Sequence, residues 1–335
     1  MRVKLYNTET MRENRTRYTY TQSKKPRRWL LLTGLIVILL LLAGYGVTSL
    51  LSKAPTSSAE TAPSQLATAK DVQLAWPAVG EAAVANVESG VIAHSSDNEE
   101  VRPTASMAKV ITALAIMEKQ PFELGQGGQT ITITKDDIAS MVAYINEEGS
   151  VQPLLIGTKL TQYQAMERML MASDNNTADI LVERIFGSQE AYVSYANDML
   201  KRMGLSHTHV ADPSGFDTNT VSTPSDMVAI GVAALKNPVI ADIVAKQQAE
   251  IPGLRAPIQN TNQLLSTNGV IGIKTGTTDE AGSCLLFAAR YTGTDGQEKT
   301  LVGVIMGDTS HETLYTDSKK LLASAKQWVA LFLKQ

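Results

Sequence analysis

One segment limits how the rest of this chain can fold: Trp29 to Leu51 is apolar and carries no charged side chain. A helix of about 20 such residues is long enough to cross the hydrocarbon core of a bilayer. A cleaved signal peptide, the alternative, has a shorter apolar part and a small-residue cleavage site soon after it, and no clear site of that kind follows here. We therefore predict an uncleaved signal anchor over residues 29–51, formed by one transmembrane helix.

The charges around this apolar run set its orientation. Four basic residues lie directly before it and only Lys53 lies directly after it; the four are Lys24, Lys25, Arg27 and Arg28. Because cytoplasmic flanks carry the excess of Lys and Arg, we predict that residues 1–28 form a basic cytoplasmic arm. Residues 52–70 are rich in Ala, Ser, Thr and Pro, which is typical of a flexible linker. Residues 71–335 are then an extracytoplasmic domain held at a cell membrane by a single span.

The overall charge argues against a nucleic-acid partner. The chain has 30 Lys and Arg against 33 Asp and Glu, and its formal net charge is −3. Since the basic residues are concentrated in the arm, the domain outside the membrane is acidic and offers no basic footprint for a phosphate backbone.

The Cys and His residues point to neither a disulfide nor a metal site. Cys284 is the only cysteine, so an internal disulfide is excluded. The pair His207 and His209 lacks the helical spacing or the cysteine partners of a metal site, and a surface turn is the interpretation we favour. We predict no metal and no cofactor.

Hydrophobic periodicity indicates an α+β domain. Residues 82–93 indicate two short strands around a turn at Glu88-Ser89-Gly90. Apolar positions at helical spacing follow Ser106, which predicts that Ser106 lies in the first turn of a helix, with Thr104 as its N-cap. Further helices are predicted over residues 160–171, 176–186, 191–203 and 318–333 and from Thr223 onward, and further strands over residues 130–134, 270–274, 284–291 and 300–306. This order predicts one mixed sheet with terminal helices and an inserted helical part.

Three short motifs supply complementary parts of one reaction. In Ser106-Met107-Ala108-Lys109, a lysine one helical turn from a serine can act as its base if burial and a nearby positive charge keep the amine neutral. Lys274 is a candidate for that second charge. In Ser173-Asp174-Asn175, the serine would relay a proton and Asn175 would bind the substrate amide, while Asp174 would brace the loop. Each of these two motifs alone is more often an ordinary helix face or loop.

The third motif, Lys274-Thr275-Gly276-Thr277, ends a predicted strand. Gly276 has no side chain, so a peptide substrate could approach this strand and pair with it. Lys274 and the hydroxyls of Thr275 and Thr277 are suited to a carboxylate, and the amides of Ser106 and Thr277 are candidates for an oxyanion hole. Such an ordered set of motifs is typical of penicillin-binding proteins and class A β-lactamases.

Residues 76–333 resemble the serine D-alanyl-D-alanine carboxypeptidases, the low-molecular-weight penicillin-binding proteins. Further segments carry the resemblance: Asp212-Pro213-Ser214-Gly215-Phe216 is similar to an Asn-Pro-Ser-Gly-Leu segment, and similar runs start at Asn260 and Asp279. The sequence departs from many relatives in its Ser-Asp-Asn motif, where they have Ser-Gly-Asn. The resemblance implies an α/β/α sandwich around an antiparallel sheet, with an inserted helical subregion that carries Ser173, and it makes Cys284 a buried core residue.

The resemblance also implies an activity. The expected enzyme is a bacterial serine peptidase that removes the terminal D-alanine from peptidoglycan stem peptides through an acyl-enzyme on Ser106. β-Lactams would acylate the same serine. Three alternatives remain open: a D,D-endopeptidase that cuts crosslinks with the same residues, a β-lactamase, and a non-catalytic scaffold that binds the cell wall. The Asp212 segment shows no evident deacylating glutamate, which disfavours the β-lactamase, and intact Ser106, Lys109 and Lys274 disfavour the scaffold.

Overall fold

We describe the protein from a computed structural model, which covers residues 73–90 and 92–332. The predicted cytoplasmic arm, membrane span and linker lie outside these residues and remain predictions. Within the described part, no single helix is long and apolar enough to cross a membrane, although the two helices over Pro224–Lys236 and Pro238–Ala245, bent by 102°, meet that test as a pair.

The centre of the fold is a five-stranded sheet in which all neighbouring strands are antiparallel. Its strands, in spatial order, are β2 (Ile92–His94), β1 (Glu81–Asn86), β11 (Glu298–Asp308), β10 (Gly282–Thr292) and β9 (Val270–Thr278). The mixed sheet expected from periodicity alone is therefore wrong, and the antiparallel sheet implied by the family resemblance is confirmed. The strands of the whole described chain are β1 (Glu81–Asn86), β2 (Ile92–His94), β3 (Arg102–Pro103), β4 (Thr130–Thr132), β5 (Lys159–Thr161), β6 (Val221–Ser222), β7 (Gln248–Ala249), β8 (Ile258–Gln259), β9 (Val270–Thr278), β10 (Gly282–Thr292) and β11 (Glu298–Asp308).

The helices divide between the two faces of this sheet and a separate helical part. They are α1 (Ala108–Lys119), α2 (Lys135–Asn146), α3 (Gln162–Met171), α4 (Asn175–Phe186), α5 (Gln189–Arg202), α6 (Pro224–Lys236), α7 (Pro238–Ala245) and α8 (His311–Phe332). Helix α8 packs on β10 and β11 from one side, while α6 and α7 pack on the sheet from the other. Helices α2 to α5 form the inserted part that packs around α1.

The central strands carry apolar side chains on both faces, because successive side chains of a strand point to opposite faces of the sheet. Helices can therefore pack on both sides and form this sandwich. In β10, Leu285 and Phe287 belong to the core under α8, whereas Cys284 and Leu286 belong to the core under α6. Both faces of the sheet are thus buried, and the α/β/α sandwich is confirmed. Cys284 is fully buried, as expected of a small core residue.

Most predicted elements occur close to their predicted positions, with a few corrections. Helix α8 starts at His311, seven residues before the predicted start at Ser318. Helix α2 was not predicted; its start is a capping box in which Thr134 accepts a hydrogen bond from the backbone of Asp137, so this threonine ends the predicted strand early. The predicted helix start at Thr223 is confirmed, since the Thr223 side chain caps α6 by accepting a hydrogen bond from the backbone N–H of Asp226.

Candidate active site

Ser106 lies in a tight turn that joins β3 to α1. The turn is a 3₁₀ helix over Ala105–Met107, so Ser106 precedes the α-helix instead of lying in its first turn as predicted. Ala105 has a φ of +44°, a left-handed conformation that costs energy for any residue except glycine. Thr104 makes no capping bond, contrary to the prediction, because its backbone N–H and its hydroxyl both donate to the carbonyl oxygen of Thr220.

Two glycines let other segments approach this turn closely. A Cβ on Gly215 would lie 1.9 Å from the carbonyl oxygen of Ala105, and Gly215 itself has a φ of +75°. A Cβ on Gly276 would lie 3.0 Å from the carbonyl oxygen of Thr104 and 3.1 Å from the backbone nitrogen of Ser106. The nucleophile turn is therefore held between the 212–216 loop and strand β9. The contact at Gly215 requires the missing side chain, and the one at Gly276 leaves no room for a Cβ without a small shift.

The amine of Lys109 is placed to act on Ser106. Its Nζ lies 2.8 Å from Ser106 Oγ, 2.7 Å from Asn175 Oδ1 and 2.8 Å from the carbonyl oxygen of Ser214. Lys109 is fully buried, and burial lowers its pKa to about 7 against the opposing effects of Asp212, Asp174 and Asp179. About half of these amines are neutral near pH 7, which is the state a general base needs.

The Ser173-Asp174-Asn175 loop connects α3 to α4 beside this lysine. Ser173 has a φ of +61° and lines the cleft next to Ser106, while Asn175 contacts Lys109. Asp174 points away into the helical part, where it pairs with Arg168 at 2.7 Å and accepts a hydrogen bond from Thr177. The predicted bracing role of Asp174 agrees with this geometry.

Strand β9 forms the opposite wall and is the edge strand of the sheet. Thr275, Gly276 and Thr277 line the cleft beside Ser106. Lys274, by contrast, is 1% exposed and does not line the cleft; its Nζ donates to the carbonyl oxygen of Thr275 at 2.9 Å. Burial and, second, the charge of Lys109 lower the pKa of Lys274. The sequence predicted that the charge of Lys274 lowers the pKa of Lys109, but burial is what lowers it.

Two cavities meet at Ser106. One, of about 490 Å³, is bounded by Ser173 and β9 and by residues that were not predicted, namely Ser150, Thr261, Gln263, His311 and Tyr315. The other, of about 540 Å³, has an acidic rim formed by Glu147, Glu148, Asp279 and Glu280. A larger cavity near Lys246 contains none of the motif residues. Thr261 and Gln263 belong to the run from Asn260 that carries part of the family resemblance, but no role was predicted for any of the five. Segments distant in the chain bring these residues to the cleft.

Ser214 is the main contact that the sequence did not assign. Its backbone carbonyl binds Lys109, and a backbone atom leaves no mark in the residue type. The segment around it was noticed only as part of the family resemblance. No group of three or more His, Cys, Asp or Glu side chains in the described residues is arranged to hold a metal ion.

A serine that lines an open cleft, with a buried lysine at its hydroxyl and a strand edge beside it, defines a serine acyl-transfer enzyme of the kind whose base is a lysine. The chain belongs to the D-alanyl-D-alanine carboxypeptidase family, peptidase family S11, whose model matches residues 68–310. It is a serine-type D-Ala-D-Ala carboxypeptidase by this membership, and the prediction of the enzyme class is confirmed.

Individual relatives agree with this assignment. The D-alanyl-D-alanine carboxypeptidase DacB2 of Mycobacterium tuberculosis is 32% identical over 63% of this chain and 70% of the relative. The D-alanyl-D-alanine carboxypeptidase of Streptomyces sp. strain K15 is 29% identical over 73% of this chain and 86% of the relative. The crystal structure of the Streptomyces K15 DD-transpeptidase superposes with a TM-score of 0.66 at 25% identity, over 74% of this chain and 97% of that one.

Proposed function

We propose that this chain is a penicillin-sensitive D,D-carboxypeptidase that removes the terminal D-alanine of peptidoglycan stem peptides through an acyl-enzyme on Ser106. The observation that carries the proposal is the environment of the Lys109 amine. It has three partners, and two of them, Asn175 Oδ1 and the Ser214 carbonyl oxygen, only accept hydrogen bonds. A neutral amine has two N–H groups to donate, so both are used, and the remaining lone pair is directed at the Ser106 hydroxyl.

Acylation then proceeds by proton transfer and attack. Ser106 Oγ bonds to the carbonyl carbon of the D-Ala-D-Ala peptide while its proton moves to the Lys109 amine. The C–N bond breaks, and the proton passes through the Ser173 hydroxyl to the departing amine, which leaves as D-alanine. A water molecule next bonds to the same carbon, and the ester C–O bond to Ser106 breaks. A proton from that water restores the Ser106 hydroxyl.

The free edge of β9 supports the proposed mode of substrate binding. An edge strand presents unpaired backbone N–H and C=O groups, with which an extended peptide can pair as an added strand. The N–H groups of Ser106 and Thr277 are the proposed oxyanion donors, and the close approach of Gly276 to Ser106 supports this placement. The hydroxyls of Thr275 and Thr277 would bind the substrate carboxylate, and Lys274 would support this site from beneath by its hydrogen bond to the Thr275 carbonyl oxygen.

We further propose that residues 29–51 anchor the enzyme in a bacterial cell membrane, with residues 1–28 in the cytoplasm and the catalytic domain outside. The apolar run and the basic residues directly before it support this topology. Tagging each end of the full chain in cells and testing protease accessibility from outside would check it. Protection of the C-terminal tag in intact spheroplasts would overturn the topology.

Intact mass of the full chain, measured against time after addition of benzylpenicillin, tests the activity. A long-lived adduct on Ser106, together with release of D-alanine from a pentapeptide, is the expected result. A short-lived adduct with drug turnover would indicate a β-lactamase. The absence of both an adduct and D-alanine release would refute the proposal in favour of a non-catalytic scaffold.

A D,D-endopeptidase is the second candidate, because a relative with this name in Escherichia coli strain K12 is 23% identical over 80% of this chain. Both activities would use the same residues, so the geometry of Ser106 and Lys109 does not separate them. Purified crosslinked muropeptide dimers and monomeric pentapeptides offered in equal amounts would separate them. Faster loss of dimers than release of D-alanine from monomers would favour the endopeptidase.

A further inference from the structure

The carboxylate of Asp212 is the centre of the loop that holds Lys109. It accepts five hydrogen bonds: from the backbone N–H groups of Ser214, Gly215 and Phe216, and from the hydroxyls of Ser214 and Thr220. The two hydroxyl contacts are 2.6 Å long, as expected for bonds to a carboxylate. A single side chain thereby holds the three consecutive residues 214–216 in one turn and ties Thr220 to it.

This turn is attached to helix α1 at two points and, through Thr220, to Thr104 before the nucleophile turn. The carbonyl oxygen of Ser214 accepts from Lys109, and that of Pro213 accepts from the Thr112 hydroxyl at 2.7 Å. On the other side, Thr220 donates its hydroxyl to Asp212 and accepts the backbone N–H of Thr104 with its carbonyl oxygen. Asp212 therefore connects the residues before Ser106 to the acceptor that orients its base.

We propose that Asp212 is a positioning residue for acylation: its carboxylate fixes the Ser214 carbonyl that directs the Lys109 lone pair at Ser106. Because Ser214 contacts both Asp212 and Lys109, the same turn brings the negative charge of Asp212 near this lysine, which gives the inference a second half that depends on pH. The inference rests on the proposed function of Ser106 and Lys109. Asp212 does not touch the reacting atoms, because its oxygens are occupied by the turn. Among the charges that raise the pKa of Lys109, that of Asp212 has the largest effect, which supports the second half of the proposal.

Other titratable groups also face Lys109, and their effects on its pKa must be distinguished from the effect of Asp212. Asp174 lies directly before α4, Asp179 lies on α4, and Lys274 lies on β9. Tyr144 of α2 and Tyr192 of α5 lie near the aspartates, and burial keeps both phenols neutral by raising their pKa values. The titration of Asp179 is the one that could be mistaken for that of Lys109 in a pH profile, since burial raises the pKa of Asp179 to about 7, close to that of Lys109.

The variant Asp212→Asn removes the charge and keeps the shape. Its amide oxygen can still accept from Ser214 and Phe216, while its NH₂ group would face the Gly215 N–H and the Thr220 hydroxyl and accept from neither. The acid limb of the pH profile of benzylpenicillin acylation should move down by about one pH unit, because the opposite charge of Asp212 no longer favours the ammonium form of Lys109. Asp217→Asn is the matched control, since it removes a charge from the same loop at an exposed residue that is not among the groups acting on Lys109.

The variant Asp212→Glu tests the positioning half and keeps the charge. Its extra methylene displaces the carboxylate from the turn, so the plateau rate should fall roughly ten- to a hundredfold while the acid limb stays close to that of the wild type. Wild-type rates in this variant would overturn the positioning role. The test therefore stands even if Asp212→Asn does not fold, which thermal unfolding of each variant would reveal.

The experiment uses the full chain, with acylation rates measured from pH 5 to 10 in the wild type, Asp212→Asn, Asp212→Glu and Asp217→Asn. A second series in an Asp179→Asn background removes the competing titration, and the shift caused by Asp212→Asn must persist there. An unshifted limb in either background would overturn the charge role of Asp212. If the wild type itself forms no adduct, the proposed function fails; if it is acylated normally, an unshifted limb refutes only the inference about Asp212.

Discussion

The guanidinium of Arg168 lies 2.7 Å from the carboxylate of Asp174, and their side chains are 1% and 0% exposed. Arg168 is on α3 and Asp174 precedes α4, so this ion pair closes the turn that carries Ser173. Arg168 also donates to the carbonyl oxygens of Gln152 and Pro153. A charged pair inside the helical part thus holds both the Ser173 loop and the segment that forms the rim of the cleft.

Replacing Arg168 with leucine should destabilise the protein by about 3–5 kcal/mol, because it leaves the Asp174 charge buried without its partner. Burial already raises the pKa of Asp174 and Arg168 opposes that effect, so the loss should shrink at low pH, where Asp174 is protonated. Urea unfolding at pH 7 and pH 5 measures this. Arg202→Leu is the control: its partner Glu118 is exposed, and the loss should be about 1 kcal/mol or less. Equal losses in the two variants would contradict the bracing role.

Acylation by benzylpenicillin should depend on the protonation of Lys109. Since burial lowers the pKa of this lysine to about 7, the rate should rise as the pH increases through about 7 and level off above it, where the amine is neutral. Stopped-flow acylation rates of the full chain over this range provide the measurement. A limb near the ordinary lysine value of about 10.4 would show that burial does not lower the pKa of this amine, and a rate that does not change with pH would show that the amine is not the base.

Lys109→Ala should slow acylation by roughly 10²–10⁴-fold at pH 8, because general-base assistance is lost. Lys119→Ala, at the exposed end of the same helix, should acylate at the wild-type rate. Circular dichroism of both variants checks that α1 is intact. Near-normal acylation in Lys109→Ala would refute its role.

Ser106→Ala should abolish the penicillin adduct and leave the fold unchanged, since only one small hydroxyl is removed. Ser150→Ala is a matched change in the same cleft, because Ser150 lines both cavities beside Ser106. That variant should still be labelled. Intact mass after addition of drug decides the matter, and an adduct on Ser106→Ala would place the nucleophile elsewhere.

Alanine at Gly215 should be far more destabilising than alanine at Gly276. The new Cβ at position 215 would lie 1.9 Å from a backbone oxygen, and the φ of +75° is unfavourable for alanine as well. At position 276 the nearest atom lies at 3.0 Å, so a small shift relieves the contact. We expect Gly276→Ala to fold and to acylate slowly, because the shift moves the nucleophile turn. Melting temperatures and acylation rates of the two variants test this, and equal melting temperatures would count against it.

Local patterns were sufficient for much of the fold. Helix α4 and strand β10 occur nearly where periodicity predicted them, because their burial follows the alternation of apolar residues in the chain. Helix α2 was missed although its sequence has apolar residues at helical spacing, namely Ile138, Met141, Val142 and Ile145. In the structure Ile138 and Met141 pack against the core, whereas Val142 and Ile145 are exposed. The antiparallel order of the sheet could be inferred only by resemblance, since periodicity carries no information on which strands are neighbours.

The sequence by itself determined the ordered motifs, and with them the nucleophile Ser106, its neighbour Lys109 three residues later and the family. The tertiary structure decided what makes that lysine a base. Folding buries its side chain and brings two hydrogen-bond acceptors to its amine. These are the Asn175 side-chain amide and the Ser214 carbonyl, which lie 66 and 105 residues away in the chain. It also placed Lys274 beneath the cleft instead of on its wall. The pKa of a side chain depends on desolvation and on charges in space, and neither quantity can be read from spacing along the chain.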